Sequence, residues 1–340
     1  MSKKVCVMGA GSWGLALALV LHDNKHEVTI WCYQEEEKNA IIQDGENKRC
    51  LPGIKIPEDI KLTTSIEEAV EDKDVVVIAI PSAFMRENIQ NMAPFIKDDQ
   101  IIVNVSKGLE YSTLYRLSEV IQSELPNNHI VVLSGPSHAE EVSRKIPTTV
   151  TVASKSRKAA HEVQSLFMAD YFRVYTNPDL IGVELGGSLK NVIAFAAGAL
   201  EGMGYGDNTK AALMTRGLTE ITRLGVAMGA NQHTFSGLSG IGDLIVTCTS
   251  PHSRNRYAGE LVGQGNTLEE ALDKVNMVVE GVHTAKGAYR LKEKYNVQMP
   301  IIDAVYKTLF EDYPADKALY SLMVRDKKDE HNQEDLMWEE

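Results

Sequence analysis

The chain has few cysteines, and no two of them form a CxxC pair. Cys6, Cys32, Cys50 and Cys248 are scattered through the sequence. Two of them, Cys6 and Cys32, fall in predicted strands, where a free cysteine packs as a small apolar side chain. This spacing argues against a disulfide framework and against a zinc site, and we expect no bound metal.

The chain also lacks a basic tract and an apolar run long enough to span a membrane. Its 35 Lys and Arg against 47 Asp and Glu give a formal net charge of −12, which argues against a nucleic-acid partner. The N-terminal apolar run is too short for a signal peptide. The longest apolar window, at 191–200, lies between Lys190 and Glu201 and is typical of a buried helix. We therefore expect a cytoplasmic protein with no membrane span.

The N-terminus has the pattern of a mononucleotide-binding unit. The strand-like KVCVMG leads into GAGSWG at 9–14, then a helix ending near Asn24, then the strand-like EVTIWCY. In such a unit Gly9 permits the tight turn, Gly11 leaves room for a pyrophosphate, and Gly14 lets the helix pack closely on the sheet. The free N–H groups at the helix start face the anion. A packing cluster of glycines without a ligand is the alternative, and the flanking strands argue against it.

The rest of the chain divides into two regions with different sequence patterns. Runs rich in Val and Ile predict buried strands at 74–82, 100–108, 129–137, 148–154 and 171–176, with helices between them. After residue 180, helical spacing takes over, at 183–201, 208–229, 254–263, 267–274, 282–295 and 300–310. The predicted fold class is α/β, an N-terminal Rossmann-type doubly wound sheet followed by an all-α C-terminal domain. We assign residues 1–180 to the sheet domain, 181–330 to the helical substrate domain, and 331–340 to a charged tail.

Several polar residues and glycines follow predicted strands directly. Because ligands bind at the carboxyl ends of strands in such sheets, we expect these residues to line one crevice: Ser82, Lys107, Gly108, Gly135 and Ser137.

Further polar residues interrupt the helical half. Lys190, inside an apolar helix, either extends to solvent or is buried with a lowered pKa that suits proton exchange. Its neighbour Asn191 could orient a ligand or cap a turn. Asp243, after a glycine-rich turn, is either a helix N-cap or a carboxylate near that lysine.

The segment at 253–255 follows Pro251 at a predicted helix start. Arg254 there offers a planar fork for phosphate, and the N–H groups of the helix start would add to it. A charged surface loop is the alternative reading of Ser253, Arg254 and Asn255.

Taken in order, the motifs resemble one family. They are GAGSWG (9–14), VSKGLE (105–110), LSGPSHAEEV (133–142), NPDLIGVELGGSLKNVIA (177–194), TRGLTE (215–220), GIGDLIVTC (240–248), SRNR (253–256) and VVEG (278–281). The chain resembles, over nearly its whole length, the bacterial-type NAD(P)-dependent sn-glycerol-3-phosphate dehydrogenases.

The resemblance implies reversible hydride transfer between a nicotinamide cofactor and C2 of glycerol 3-phosphate, serving glycerophospholipid synthesis. It implies that Lys190 exchanges the proton. It implies a small-molecule substrate and, by family habit, a homodimer. The cofactor contacts that it implies, with the glycine turn, are Gly9, Gly11, Ser12, Trp13, Gly14, Tyr33, Lys107, Ala139, Arg254, Val278 and Glu280. The substrate contacts that it implies are Lys107, Gly135, Ser137, Lys190, Asp243, Ser253, Arg254 and Asn255.

The end of the second strand departs from the family pattern. Relatives often carry a basic residue or histidine where this chain has Tyr33, so we expect the cofactor to be either NADP or NAD. The run Glu35, Glu36 and Glu37 comes late and is more typical of a helix start, where carboxylates suit the dipole.

Two other functions fit part of the pattern. Another two-domain dehydrogenase, of the hydroxyacid or phosphogluconate kind, shares the two folds and a catalytic lysine, but the SRNR segment suits this phosphate site better. A dinucleotide-sensing regulator would have no need of a proton donor such as Lys190.

Overall fold

The first half of the chain builds one sheet. The computed structural model describes residues 2–327 and 329–330, so the predicted tail at 331–340 lies outside the described residues. Within them, eight strands pair in the order β3-β2-β1-β4-β5-β6-β7-β8. The strands are β1 Lys4–Met8, β2 Glu27–Trp31, β3 Lys61–Thr63, β4 Val75–Ile78, β5 Ile101–Asn104, β6 His129–Ser134, β7 Thr148–Ala153 and β8 Phe172–Asn177.

Both faces of the sheet are covered, which explains the continuous apolar runs. Alternate residues of a strand point to opposite faces. Val5 and Val7 of β1 pack in one cluster with the helix that follows the glycine turn, whereas Cys6 and Met8 pack in another on the opposite face. The helices of this half are α1 Ser12–Asp23, α2 Glu35–Asp44, α3 Ile66–Val70, α4 Met85–Met92, α5 Leu117–Glu124, α6 Ala139–Val142 and α7 Arg157–Phe167.

One strand pair departs from the parallel pattern that the apolar runs suggest. β7 runs antiparallel to β6, with Val132 opposite Ala153, while the other neighbouring strands are parallel. The connection between them carries only α6, a four-residue helix. A helix of that length spans about 6 Å, too little to return the chain along a six-residue strand, so β7 starts from the same end of the sheet at which β6 stops.

The second half is helical, as predicted, and the predicted fold class is confirmed. Its long first helix, α8, passes by length and apolar composition for a membrane span, but 89% of its apolar window is buried inside the protein, as in a core helix. The helices are α8 Leu180–Gly202, α9 Asp207–Ala227, α10 Asp243–Thr249, α11 Arg254–Gly263, α12 Leu268–Val275, α13 Glu280–Lys294, α14 Pro300–Phe310 and α15 Ala315–Met323.

A buried ion pair joins the two halves. Glu184 of α8 accepts hydrogen bonds from Arg116 Nη1 at 2.8 Å, Ser118 N at 2.7 Å and Ser118 Oγ at 2.6 Å. All three residues are buried. Removing one partner of such a pair leaves an uncompensated buried charge, so this contact holds α8 against the start of α5. It therefore contributes to placing the helical half over the carboxyl edge of the sheet.

Candidate active site

A cluster of four side chains lies where α8 meets the carboxyl edge of the sheet. Lys190 Nζ is in direct contact with Asp243 Oδ1 and donates to Thr247 Oγ1 at 2.6 Å. Lys107 Nζ donates to the other carboxylate oxygen, Asp243 Oδ2, at 2.8 Å. Lys190, Asp243 and Thr247 are buried, and Lys107 is partly exposed. The cluster thus holds two ammonium groups on one buried carboxylate.

Burial governs the protonation of Lys190. Burial lowers the pKa of this lysine to about 7, against the effect of Asp243, which raises it, and with that of Lys107, which lowers it further. An amine with a pKa near the working pH can both give and take a proton. Lys190 does not extend to solvent, which was one of its two predicted alternatives. Asp243 is the first residue of α10, and Gly242 occupies the N-cap position, so the N-cap interpretation of Asp243 is wrong.

The loop after β5 is pinned to α8. Gly108 N donates to Ser188 Oγ at 3.0 Å, and this serine lies two residues before Lys190. Gly108 has φ +141°, a conformation that side chains rarely adopt, and this turn directs Lys107 towards Asp243. The same loop therefore carries one lysine of the cluster and fixes the helix that carries the other.

A second bridge lies nearby, between the loop after β4 and α13. Glu280 Oε1 accepts from Ser82 N at 3.1 Å, and Glu280 Oε2 accepts from Ser82 Oγ at 2.6 Å. This contact places Glu280, a predicted cofactor contact from the helical half, at the sheet edge. Val278, just before α13, is exposed.

The glycine turn between β1 and α1 offers backbone groups and open space. Gly9 has φ +120°, and a Cβ there would lie 2.5 Å from Ala79 O. A Cβ on Gly14 would overlap the Gly9 carbonyl oxygen, whereas a Cβ on Gly11 would meet nothing within 4 Å. The first turn of α1, which begins at Ser12 and Trp13, has neither a side-chain cap nor an acidic residue. The N–H groups of this first turn and the open space at Gly11 fit the pyrophosphate of a dinucleotide.

A loop between α2 and β3 folds back over the glycine turn. Asn47 Nδ2 donates to Ala10 O at 3.0 Å, and Asn47 Oδ1 accepts from Cys50 N at 3.1 Å. Burial raises the pKa of the Cys50 thiol, while Arg254 and the Ser12 N–H act to lower it. The start of α1 and Arg254 are therefore both close enough to act on this thiol, and the Arg254 side chain is exposed.

The segment after β2 carries Tyr33, where relatives often have a basic residue, and then an acidic run. Tyr33 is 74% exposed, and its ring packs edge-on against Trp31 with centroids 6.0 Å apart. Glu35, Glu36 and Glu37 form the first turn of α2, as the helix-start interpretation of this acidic run predicts.

The start of α11 is well ordered by hydrogen bonds. Ser253 Oγ caps the helix by accepting from Arg256 N at 3.2 Å. Asn255 Nδ2 donates to Asn191 Oδ1 at 3.1 Å, and Asn255 Oδ1 accepts from Gly281 N at 2.8 Å. Asn191 therefore orients the Asn255 side chain, and the two asparagines together link α8 to α11 and α13.

The loop after β6 holds the remaining predicted contacts. Gly135 has φ +149°, and Ser137 Oγ donates to Gly135 O at 3.1 Å. Ala139 is buried as the first residue of α6. A Cβ on Gly242 would come within 3.8 Å of Pro136, so this loop packs against the turn that leads to Asp243.

Two polar residues of the site were not predicted from the sequence. Thr247 completes the lysine cluster, and its position four residues after Asp243 puts both on one face of a helix; that spacing could have identified it. Asn47 holds the loop over the glycine turn, and nothing in its local sequence distinguishes it from a surface asparagine.

The chain matches two family models and is similar to proteins named for one activity. Residues 4–160 match the model of the NAD-dependent glycerol-3-phosphate dehydrogenase N-terminus, and residues 179–320 match that of the C-terminus. It is 55% identical over 329 residues to a glycerol-3-phosphate dehydrogenase [NAD(P)+] of Agathobacter rectalis, covering 97% of this chain and 98% of that one. It is also 55% identical over 338 residues to that of Bacillus subtilis, covering 98% and 97%.

A solved structure shows the same architecture. The crystal structure of glycerol-3-phosphate dehydrogenase from Coxiella burnetii superposes with a TM-score of 0.92 at 37% identity, covering 95% of this chain and 99% of that one.

Proposed function

The chain belongs to the NAD-dependent glycerol-3-phosphate dehydrogenase family, and from this membership we propose how its residues carry out the reaction. The protein is an NAD(P)-dependent oxidoreductase that reversibly reduces dihydroxyacetone phosphate to sn-glycerol 3-phosphate, which feeds glycerophospholipid synthesis. The observation that carries the residue assignment is the buried contact of Lys190 with Asp243 and Thr247 at the sheet edge.

Lys190 is the proposed acid–base residue. When the dinucleotide is bound, its nicotinamide supplies a hydride to C2 of the ketone or takes one from the alcohol. In reduction the Lys190 ammonium gives one proton to the C2 oxygen, stabilises the charge that develops there, and is left as a neutral amine. In oxidation the neutral amine takes that proton from the hydroxyl. Its lowered pKa makes both forms accessible near neutral pH.

Asp243 and Thr247 hold the lysine nitrogen in place. Thr247 Oγ1 donates to Asp243 O at 2.6 Å while accepting from Lys190, so the hydroxyl hydrogen is already committed. Both acceptors therefore fix two directions around Nζ, and the remaining N–H is free for the substrate oxygen. Such positioning by neighbouring groups is what a precise proton transfer needs.

Local positive charge attracts the phosphorylated substrate against the net charge of −12. Lys107 and Lys190 share a single carboxylate, which leaves a surplus of positive charge at the site when both are protonated, and Arg254 adds a planar donor fork. We propose Lys107, Gly135, Ser137, Lys190, Asp243, Ser253, Arg254 and Asn255 as the substrate contacts.

The dinucleotide, NADP or NAD, is proposed to lie across the carboxyl edge of the sheet from the glycine turn. Its proposed contacts are Gly9, Gly11, Ser12, Trp13, Gly14, Tyr33, Lys107, Ala139, Arg254, Val278 and Glu280. We propose that residues 1–180 form the dinucleotide-binding domain and residues 181–330 the substrate domain.

A homodimer in the cytoplasm is also proposed. Exposed apolar side chains cluster at the end of α15, where Tyr320, Met323 and Val324 are 68%, 74% and 58% exposed. Patches of this kind often mark interaction sites. Light scattering on the purified protein tests this: a mass of twice 37.5 kDa supports the dimer, and a single chain's mass excludes it.

The assay that tests the function follows nicotinamide absorbance with dihydroxyacetone phosphate. We expect turnover with this ketone and little with 2-keto acids or with 6-phosphogluconate in the oxidative direction. Dinucleotide binding without turnover would instead favour a sensing role.

The pH profile tests the role of Lys190 independently. Because the neutral amine is needed for oxidation, kcat/KM for the oxidation of glycerol 3-phosphate should rise as pH increases through about 7. Because the ammonium is needed for reduction, kcat/KM for the reduction of dihydroxyacetone phosphate should fall over the same pH range. If kcat/KM changes with pH in the same direction for both reactions, this assignment of Lys190 is excluded.

A further inference from the structure

Unpaired polar atoms are concentrated beside the lysine cluster. In the part of the chain that the structure describes, three buried side-chain polar atoms have no hydrogen-bond partner: Ser134 Oγ, His138 Nε2 and Thr284 Oγ1. Leaving a buried polar atom unpaired costs about 1–3 kcal/mol, and such atoms therefore call for a specific reason. Two of the three, on Ser134 and His138, flank the same short loop after β6.

Ser134 adjoins the cluster from the sheet side. A Cβ on Gly187 of α8 would overlap Ser134 Oγ and would lie 3.8 Å from Lys107 Cε. The hydroxyl is therefore next to both the helix that carries Lys190 and the side chain of Lys107. Ser134 itself is 2% exposed.

His138 adjoins the cluster from the loop side. Lys190, Lys107 and Asp243 all lie close enough to its ring to influence its charge. Its ring centroid is 5.9 Å from that of His252, which lies two residues before Arg254. His138 therefore lies between the lysine cluster and the turn that leads to Arg254. These are the two parts of the site to which we assign the reacting carbon and the phosphate.

The ring is neutral at working pH. Burial lowers the pKa of His138 to about 4, with help from Lys190 and Lys107 and against the effect of Glu140 and Asp243. A neutral imidazole has one N–H and one bare nitrogen. It can therefore form a directional hydrogen bond without adding charge next to Lys190, which an additional cation would perturb.

We propose that His138 is a further substrate-binding residue, with Nε2 hydrogen-bonded to an oxygen of the phosphorylated three-carbon substrate. The bound substrate then supplies the partner that this nitrogen lacks within the described chain. The inference rests on the proposed function, because it places the same substrate between Lys190 and Arg254.

The test compares three variants, with the ketone and the dinucleotide each varied while the other is held at one saturating concentration. His138→Phe keeps a ring but removes the hydrogen bond, His138→Gln offers an amide of similar reach, and His161→Gln changes an exposed histidine of α7 as the control. We expect His138→Phe to raise KM for dihydroxyacetone phosphate about tenfold, the scale of one lost hydrogen bond. KM for the dinucleotide should stay within about twofold. His138→Gln should recover part of the loss, and His161→Gln should match the parent.

Thermal shifts provide a readout that does not depend on turnover. Glycerol 3-phosphate should raise Tm less in His138→Phe than in the parent, while the shift caused by NADH should be the same in both. If the Phe ring prevents folding, His138→Asn takes its place, because its shorter amide does not reach the same point.

The outcomes separate the two proposals. If the parent does not reduce dihydroxyacetone phosphate, the proposed function fails. If the parent does so and the His138 variants keep its KM, or lose substrate and dinucleotide affinity equally, only the inference about His138 is overturned. Phosphate-free dihydroxyacetone then identifies the oxygen: a loss confined to the phosphorylated ketone indicates the phosphate, and an equal loss indicates the carbonyl or hydroxyl.

Discussion

The glycine turn and the lysine cluster are built from opposite materials. The turn uses backbone groups from the six consecutive residues 9–14, and it depends on glycines, which have no side chain. The cluster uses charged side chains, and Lys107 and Lys190 lie 136 and 53 residues from the aspartate that joins them. One end of the site is therefore local and neutral, whereas the other is assembled by the tertiary fold and charged.

The difference follows from what each end has to do. Binding a pyrophosphate needs N–H groups and close approach, which a turn and a helix start provide by themselves. Moving a proton near neutral pH needs a side chain with an adjusted pKa, and here burial and charged neighbours from distant segments adjust it. Substitutions at the two ends should therefore fail in different ways.

The largest effect is expected at the centre of the cluster. Lys190→Ala should lower kcat by about a hundredfold or more, the usual scale for losing a general acid–base group, while the dinucleotide still binds. Lys210→Ala, which removes one ion-pair partner of the exposed Glu201, is the control and should keep the parental kcat. Near-normal turnover in Lys190→Ala would end the assignment.

Two glycines of the turn should separate folding from binding. Gly14→Ala places a methyl group on the Gly9 carbonyl and should lower the free energy of unfolding by about 3 kcal/mol or more. Gly11→Ala meets no protein atom and keeps an extended backbone with φ −69°. It should leave Tm nearly unchanged while raising the dinucleotide Kd about tenfold or more.

Denaturant unfolding and dinucleotide titration measure the two effects. A Gly11→Ala protein that binds NADH and NADPH as the parent does would show that the pyrophosphate does not lie on this turn.

Arg254 should distinguish charge from geometry at the phosphate. Arg254→Lys keeps the charge and loses the planar fork, so KM for dihydroxyacetone phosphate should rise about tenfold, with a smaller change for phosphate-free dihydroxyacetone. Arg157→Lys is a matched control, because Arg157 also follows a capping serine as the first residue of its helix. Equal losses with both ketones would show that Arg254 does not bind the phosphate.

The smallest effect is expected at the end of β2. Tyr33 is exposed and neutral, so we predict use of both NADH and NADPH with a lean to NADPH. Tyr33→Arg should increase that lean by a few-fold, since Arg attracts the 2′-phosphate, and Tyr33→Phe should leave it unchanged. kcat/KM for both cofactors measures it. A hundredfold preference for NADH in the parent, about 2.7 kcal/mol, would mean that a carboxylate of 35–37 contacts the ribose.

Local patterns were sufficient for most of the fold. The apolar runs located β1, β4 and β5, and the helical spacing at 254–263 matches α11. Local patterns did not predict the direction of β7, because the alternation of its residues is the same in either direction. β7 is antiparallel to β6, and the connection between the two strands carries only the short helix α6. The glycine-rich segment 237–242 has no helical periodicity, so its helical turn, Leu238–Gly242, was not predicted. This turn packs closely against Gly186 of α8.

The glycine turn, the alternation of strands and helices, and the positions of the unusual polar residues can be predicted from local sequence, because they depend on neighbours within a few positions. Three features become visible only in the folded chain: Lys190 is buried against Asp243 and Thr247, Glu184 joins the two halves through Arg116, and His138 Nε2 has no partner in the described chain. The physical reason is that burial and charge pairing are properties of segments distant in the chain, and no local pattern records which of those segments will meet.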